Sequence, residues 1–66
     1  MNLKAREKQV IVAMADNNMC QSKAARSIHV YRTLIDYYHH TILDKTGLSI
    51  HKFRDLQKLL AMVEGT

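Results

Sequence analysis

No proline interrupts the 66 residues, and only two glycines, Gly47 and Gly65, offer an unstrained left-handed turn. A chain so poor in breakers cannot supply the many turns that a sheet of short strands requires. It can supply helices, each of which needs one terminator and a stripe of apolar residues spaced by three and four. Leu3, Glu7, Val10, Ile11 and Met14 fall on one such face, with Ala13 beside it, and predict a first helix from Leu3 to about Asp16. Glu7 interrupts that stripe near its solvent end. Asp16-Asn17-Asn18 ends the helix, because Asn is the best non-glycine residue for a left-handed position after a helix.

The rest of the chain divides in the same way. Ser22 is a good N-cap for a short second helix over Lys23–Ile28, with Ala24, Ala25 and Ile28 directed inward. His29-Val30 makes a tight turn. A third helix runs from Tyr31 to about Lys45, with Ile35, Tyr38, His39 and Ile42 on one face. Gly47 terminates it, and Leu48 is placed to fold back on Leu43 as in a Schellman motif. Ser49 reads as the N-cap of a fourth helix from Ile50 to about Val63. Its apolar positions Phe53, Leu56, Leu59, Leu60 and Val63 are more than one small neighbour can cover. The expected fold is all-α: four helices in one domain over residues 1–66, with the C-terminal helix available for dimerisation.

Composition narrows the function. Ten Lys and Arg against six Asp and Glu give a net charge of +4 and a pI near 9.5, which points to a polyanionic partner. The single cysteine, Cys20, excludes an internal disulfide framework and a Cys-rich zinc site; it reads as a buried thiol, with a redox sensor as the alternative. A 66-residue chain buries only about 60% of its extended surface on folding, so dense packing or oligomerisation is expected. The start is charged, Met1 reads as a natural beginning, and the apolar run Val10–Ala15 is too short for a signal-peptide core. The expected location is the cytoplasm, with the protein associated with the nucleoid. No carboxylate pair, activated nucleophile or glycine-rich phosphate loop is visible, so no enzyme and no cofactor is expected. Asp36, His40 and Asp44 form a stripe at i, i+4 and i+8, which reads as surface ion pairing rather than a metal site.

The stretch from Ser22 to Ile35 carries the most specific pattern. Two helices crossing steeply over a short turn need a small residue at closest approach, and Ala25 supplies it. They need apolar residues on either side of the turn, Ile28 and Val30, and inward residues further along, Ile35 and Tyr38. That is the spacing of a helix-turn-helix, whose second helix enters the major groove.

On Ala24-Ala25-Arg26, Ile28, Val30, Arg32-Thr33 and Ile35, the chain resembles the helix-turn-helix of the Fis and NtrC C-terminal type. With Val30-Tyr31-Arg32-Thr33-Leu34-Ile35-Asp36-Tyr37-Tyr38 and Thr46-Gly47-Leu48 included, it is most similar to the C-terminal domain of PucR and CdaR-type regulators. The resemblance spans roughly Lys8 to Val63. His29 stands where many helix-turn-helix proteins have Gly. Tyr31, Thr33 and Tyr38 stand where the family has His, Asn and Arg. The resemblance implies a bacterial or mobile-element transcriptional regulator, without the family's ligand-sensing domain.

With Ile35, Tyr38 and Ile42 inward, the outer face of the third helix carries Tyr31, Arg32, Thr33, Asp36, Tyr37 and His40. Arg32 is the expected base reader, its fork matching guanine O6 and N7. Thr33 suits a phosphate or a thymine methyl, and Tyr31 and Tyr37 suit phosphates at the groove edges. Asp36 can accept from cytosine N4 or pair with His40. Ser22, Lys23 and Arg26 on the second helix complete the expected DNA-binding set. Phe53, Leu56, Leu59, Leu60 and Val63 form the expected homodimer interface. The rival reading is a small helical interaction adaptor or anti-regulator without direct DNA readout.

Overall fold

A computed structural model describes residues 3–65, all helix, turn and coil. The helices are α1 (Ala5–Asp16), α2 (Gln21–Ser27), α3 (Arg32–Thr46) and α4 (Phe53–Glu64). The all-α, four-helix architecture expected from the sequence is therefore present. Helix α1 is the hub: α2, α3 and α4 each lie against it, and α2 also lies against α3. Val10, Ile11, Ala13 and Met14 of α1 meet Ala24 and Ala25 of α2, Ile35 and Ile42 of α3, and Leu56 and Leu59 of α4, closed off by Leu3 and Ile50. No helix among the described residues is long and apolar enough to cross a membrane.

The terminators act as their chemistry requires. At the end of α1, Asn18 takes φ 55° and Met19 φ 62°. Met19 N–H then reaches back to Met14 O at 2.7 Å, closing the turn over carbonyls that α1 leaves free. Met19 was not expected in this region; its side chain packs on the core. Asn17 Nδ2 donates to Ala13 O at 2.8 Å and to Ser27 Oγ at 3.3 Å, joining the ends of α1 and α2.

Gly47 takes φ 73° and donates to Leu43 O at 2.8 Å. At this turn the Leu48 N–H is taken by a side-chain relay. Thr46 Oγ1 donates to Ile42 O and accepts from Leu48 N–H; Leu43 is exposed and Leu48 packs on the core.

Two expected caps are corrected. Ser22 is the second residue of α2, and the N-cap is Cys20, whose carbonyl accepts from Ala24 N–H. Ser49 does not cap α4. Its hydroxyl accepts from His51 N–H, a local turn that competes with helix, so α4 starts only at Phe53 with Lys52 as N-cap. Asp55, in the first turn of α4, reaches back to Ser49 N–H at 3.1 Å. At the other ends, α1 begins at Ala5 rather than Leu3, and Tyr31 caps α3 rather than opening it.

Two further expectations are overturned. Glu7, placed by the pattern near solvent, is fully buried and held by two hydrogen bonds. In the expected dimer face, Leu56 and Leu59 are consumed by the core, because they are the residues α4 turns toward α1. Leu60 and Val63 are half-buried against the same core, and Phe53 stays 61% exposed.

Candidate nucleic-acid interface

The site begins at the α2–α3 turn. Ala25 is almost fully buried where α2 lies against α3, as the small-residue position requires, and Ile35 is fully buried one turn into α3. Ile28, Val30 and Tyr38 pack around them. The chain reverses at His29, which takes φ 57°. Val30 N–H bonds Ala25 O at 3.0 Å and His29 N–H bonds Arg26 O at 3.2 Å. This pair of reverse bonds is the Schellman ending, achieved with His where Gly is usual; His is among the residues that tolerate the left-handed region.

A second tie fixes the opening of α3. Gln21 Nε2, at the start of α2, donates to Arg32 O at 3.1 Å. Sequence reasoning missed Gln21, since a glutamine at a helix start carries no signal of a partner eleven residues away.

All nine expected DNA-contacting side chains, Ser22, Lys23, Arg26, Tyr31, Arg32, Thr33, Asp36, Tyr37 and His40, are solvent-exposed. Tyr31 is 86% and Tyr37 62% exposed, unusual for residues of that size. Three adjoining surface hollows group several of them. One is lined by Arg26, His29, Val30 and Tyr31. The next is lined by His29, Val30, Tyr31, Thr33, Leu34 and Tyr37. The last is lined by Gln21, Arg32, Thr33 and Asp36. Ser22, Lys23 and His40 line none of these three. Among the described residues the only ion pair within 4.0 Å is Lys45–Glu7, so Lys23, Arg26 and Arg32 make no ion pair with Asp36 or Asp44, although Asp36 lines the same hollow as Arg32. Tyr37 meets the half-buried Tyr38 edge-on, with ring centroids 5.2 Å apart.

On the flank of α3, His39 is half-buried with its ring centroid 4.5 Å from that of His51 and 5.2 Å from that of His40. Its Nδ1 is buried with no hydrogen-bond partner. Burial, and after it the neighbouring His51 and His40, holds its pKa below the ordinary 6.5, with Asp36 opposing. Among the described residues no three His, Cys, Asp or Glu side chains form a metal-holding group. Cys20 is free and half-buried.

Comparison of the chain with family profiles, with characterised proteins and with solved structures finds no match.

Proposed function

We propose that the protein is a sequence-specific DNA-binding transcriptional regulator that inserts α3 into the major groove. One observation carries this reading. Arg26 and Arg32, neither in an ion pair among the described residues, line adjoining exposed hollows with Tyr31, Thr33 and Tyr37 around the left-handed turn at His29. Cations left free of carboxylates suit phosphate and guanine. Hydroxyl- and methyl-bearing side chains among them suit groove edges and bases. The resemblance to PucR and CdaR-type and Fis-type helix-turn-helix domains is consistent with it, as is a cytoplasmic, nucleoid-associated location.

The regulator acts as a homodimer through α4, centred on Phe53. Beside Phe53 lies a hollow of about 420 Å³ that Ala15, Asn18, Met19, Leu56, Gln57 and Leu60 complete, and a second copy fills it. Two reading helices about 34 Å apart address half-sites one helical turn apart. The same exposed phenylalanine favours the second reading, an interaction adaptor in which the α4 surface is the working face.

The test is a salt titration of binding to random duplex DNA. A linear fall of log affinity with log salt counts the phosphates contacted. Absence of salt-dependent binding to any duplex overturns the DNA reading and leaves the adaptor.

A further inference from the structure

We infer that the hollow at the start of α3 is a receptor for the C5-methyl group of a thymine. The inference rests on the DNA-binding reading above and names one base that reading leaves open. The hollow measures about 370 Å³ and is lined by His29, Val30, Tyr31, Thr33, Leu34 and Tyr37. Val30 and Leu34, both half-buried, form an apolar floor; Val30 is anchored in the core. Tyr31, Thr33 and Tyr37 are exposed and form the walls. The exposed lining of this hollow is mostly apolar, so an apolar group is the occupant that matches it best.

Charge selects the occupant. The hollow shares His29, Val30 and Tyr31 with the neighbouring hollow that contains Arg26, and Thr33 with the one that contains Arg32. Among the described residues neither arginine has a carboxylate within 4.0 Å. An apolar receptor flanked by Arg26 on one side and by Arg32, with Asp36 beside it, on the other fits a ligand that is anionic along its edges and apolar at one point. Duplex DNA is such a ligand: the major groove is bordered by phosphates, and the one apolar group on its base edges is the thymine methyl. With Arg32 beside Thr33, the thymine lies next to the base that Arg32 reads.

The experiment uses a duplex recovered by the wild-type protein from a randomised library, with each thymine replaced singly by deoxyuridine. This change removes the methyl and leaves every hydrogen-bonding group in place. One thymine per half-site is expected to show about fourfold weaker binding as deoxyuridine, the ratio that desolvating one methyl-sized group supports. Tyr37→Ala and Thr33→Ser change exposed side chains and leave the fold intact. Each is expected to shrink the thymine–deoxyuridine difference at that position while the salt slope stays as in the wild type. The Val30 and Leu34 methyl resonances are expected to shift with the thymine duplex and less with its deoxyuridine counterpart. Binding with no deoxyuridine-sensitive thymine, or a sensitivity that both variants leave unchanged, overturns this inference and spares the DNA-binding reading. Methyl resonances that ignore the bound duplex overturn it too and leave the hollow to a protein partner. If no duplex binds in a salt-dependent way, both readings fall together.

Discussion

Glu7 Oε1 accepts a hydrogen bond from Lys45 Nζ at 2.9 Å, linking the first turn of α1 to the last turn of α3 across 38 positions. The same oxygen accepts from Lys4 N–H at 2.6 Å, while Oε2 is buried without a partner. Each charge also sits at the helix end whose dipole favours it. Burial by itself raises the Glu7 pKa; the Lys4 N–H and then Lys45 outweigh it and hold the carboxyl below its ordinary 4.5.

The sign of the pH dependence follows. A carboxyl with a depressed folded pKa stabilises the fold above its unfolded value of 4.5, and that contribution is lost as pH falls through the folded pKa. His39, also depressed in the fold, adds a loss that starts earlier, below 6.5, where the unfolded chain takes up the proton more readily. Melting temperature is expected to be flat above neutrality and to decline in two stages on acidification. Glu7→Gln should cost about 1–3 kcal/mol at neutral pH and remove the second stage. Lys45→Met should cost more, about 3–5 kcal/mol, because it strands a fully buried carboxylate, whereas Lys45 is 30% exposed and can rehydrate. Thermal melts across pH check both, and equal costs would contradict the asymmetry.

Ala25 leaves no room at the α2–α3 crossing. Ala25→Leu should overpack it by about 1–3 kcal/mol. At about 4–8 °C per kcal/mol for a domain of this size, the melt should fall visibly, and DNA binding with it. A melt unchanged from wild type would contradict the packing described for this crossing.

His29 carries a side chain at φ 57°. A side chain costs about 1–2 kcal/mol in this region, and glycine gives back part of that gain through unfolded-state entropy. His29→Gly should therefore stabilise by up to about 1 kcal/mol, while His29→Val should destabilise. Denaturant midpoints of the two variants should lie on opposite sides of the wild type.

Arg32 and Lys23 should separate reading from positioning. Arg32→Ala is expected to cost about 1–3 kcal/mol at a selected site and to relax preference at one base pair per half-site. Lys23→Ala should weaken all duplexes alike and lower the salt slope by about one per site contacted. Equal losses on selected and random DNA for both variants would make the protein a non-specific binder.

Phe53 and Leu59 should part in the same manner on α4. Phe53→Glu changes an exposed side chain, so sedimentation should show a folded monomer where the wild type associates. Leu59→Ala empties a fully buried position and should cost about 2–5 kcal/mol, lowering the melt of the protomer itself. A wild type that stays monomeric at high micromolar concentration would rule out the homodimer.

Much of this fold was legible in local pattern. The inward set Val10, Ile11, Met14, Ala24, Ala25, Ile35 and Ile42 follows from spacing alone, and Asn18 and Gly47 adopt the left-handed turns their chemistry favours. Cys20 and Lys52 are not legible as caps, because neither makes a side-chain cap hydrogen bond, whereas Ser22 and Ser49 nearby carry the hydroxyl that usually does. At Ser49 the outcome depended on a hydroxyl bond to His51 N–H, a choice between two local partners.

What the sequence determined by itself was therefore the number of helices, their apolar faces and the three turns at Asn18, His29 and Gly47, all of which depend on groups within a few residues of one another. What only the tertiary structure decided was the fate of polar and apolar side chains at the margins of those faces. Glu7 is buried because α3 delivers Lys45 to it, Gln21 is occupied because Arg32 O lies within reach, and Leu56 and Leu59 belong to the core because α4 rests on α1. Periodicity places a residue on a face; whether that face meets water, a charge or another helix depends on a partner arriving from far along the chain.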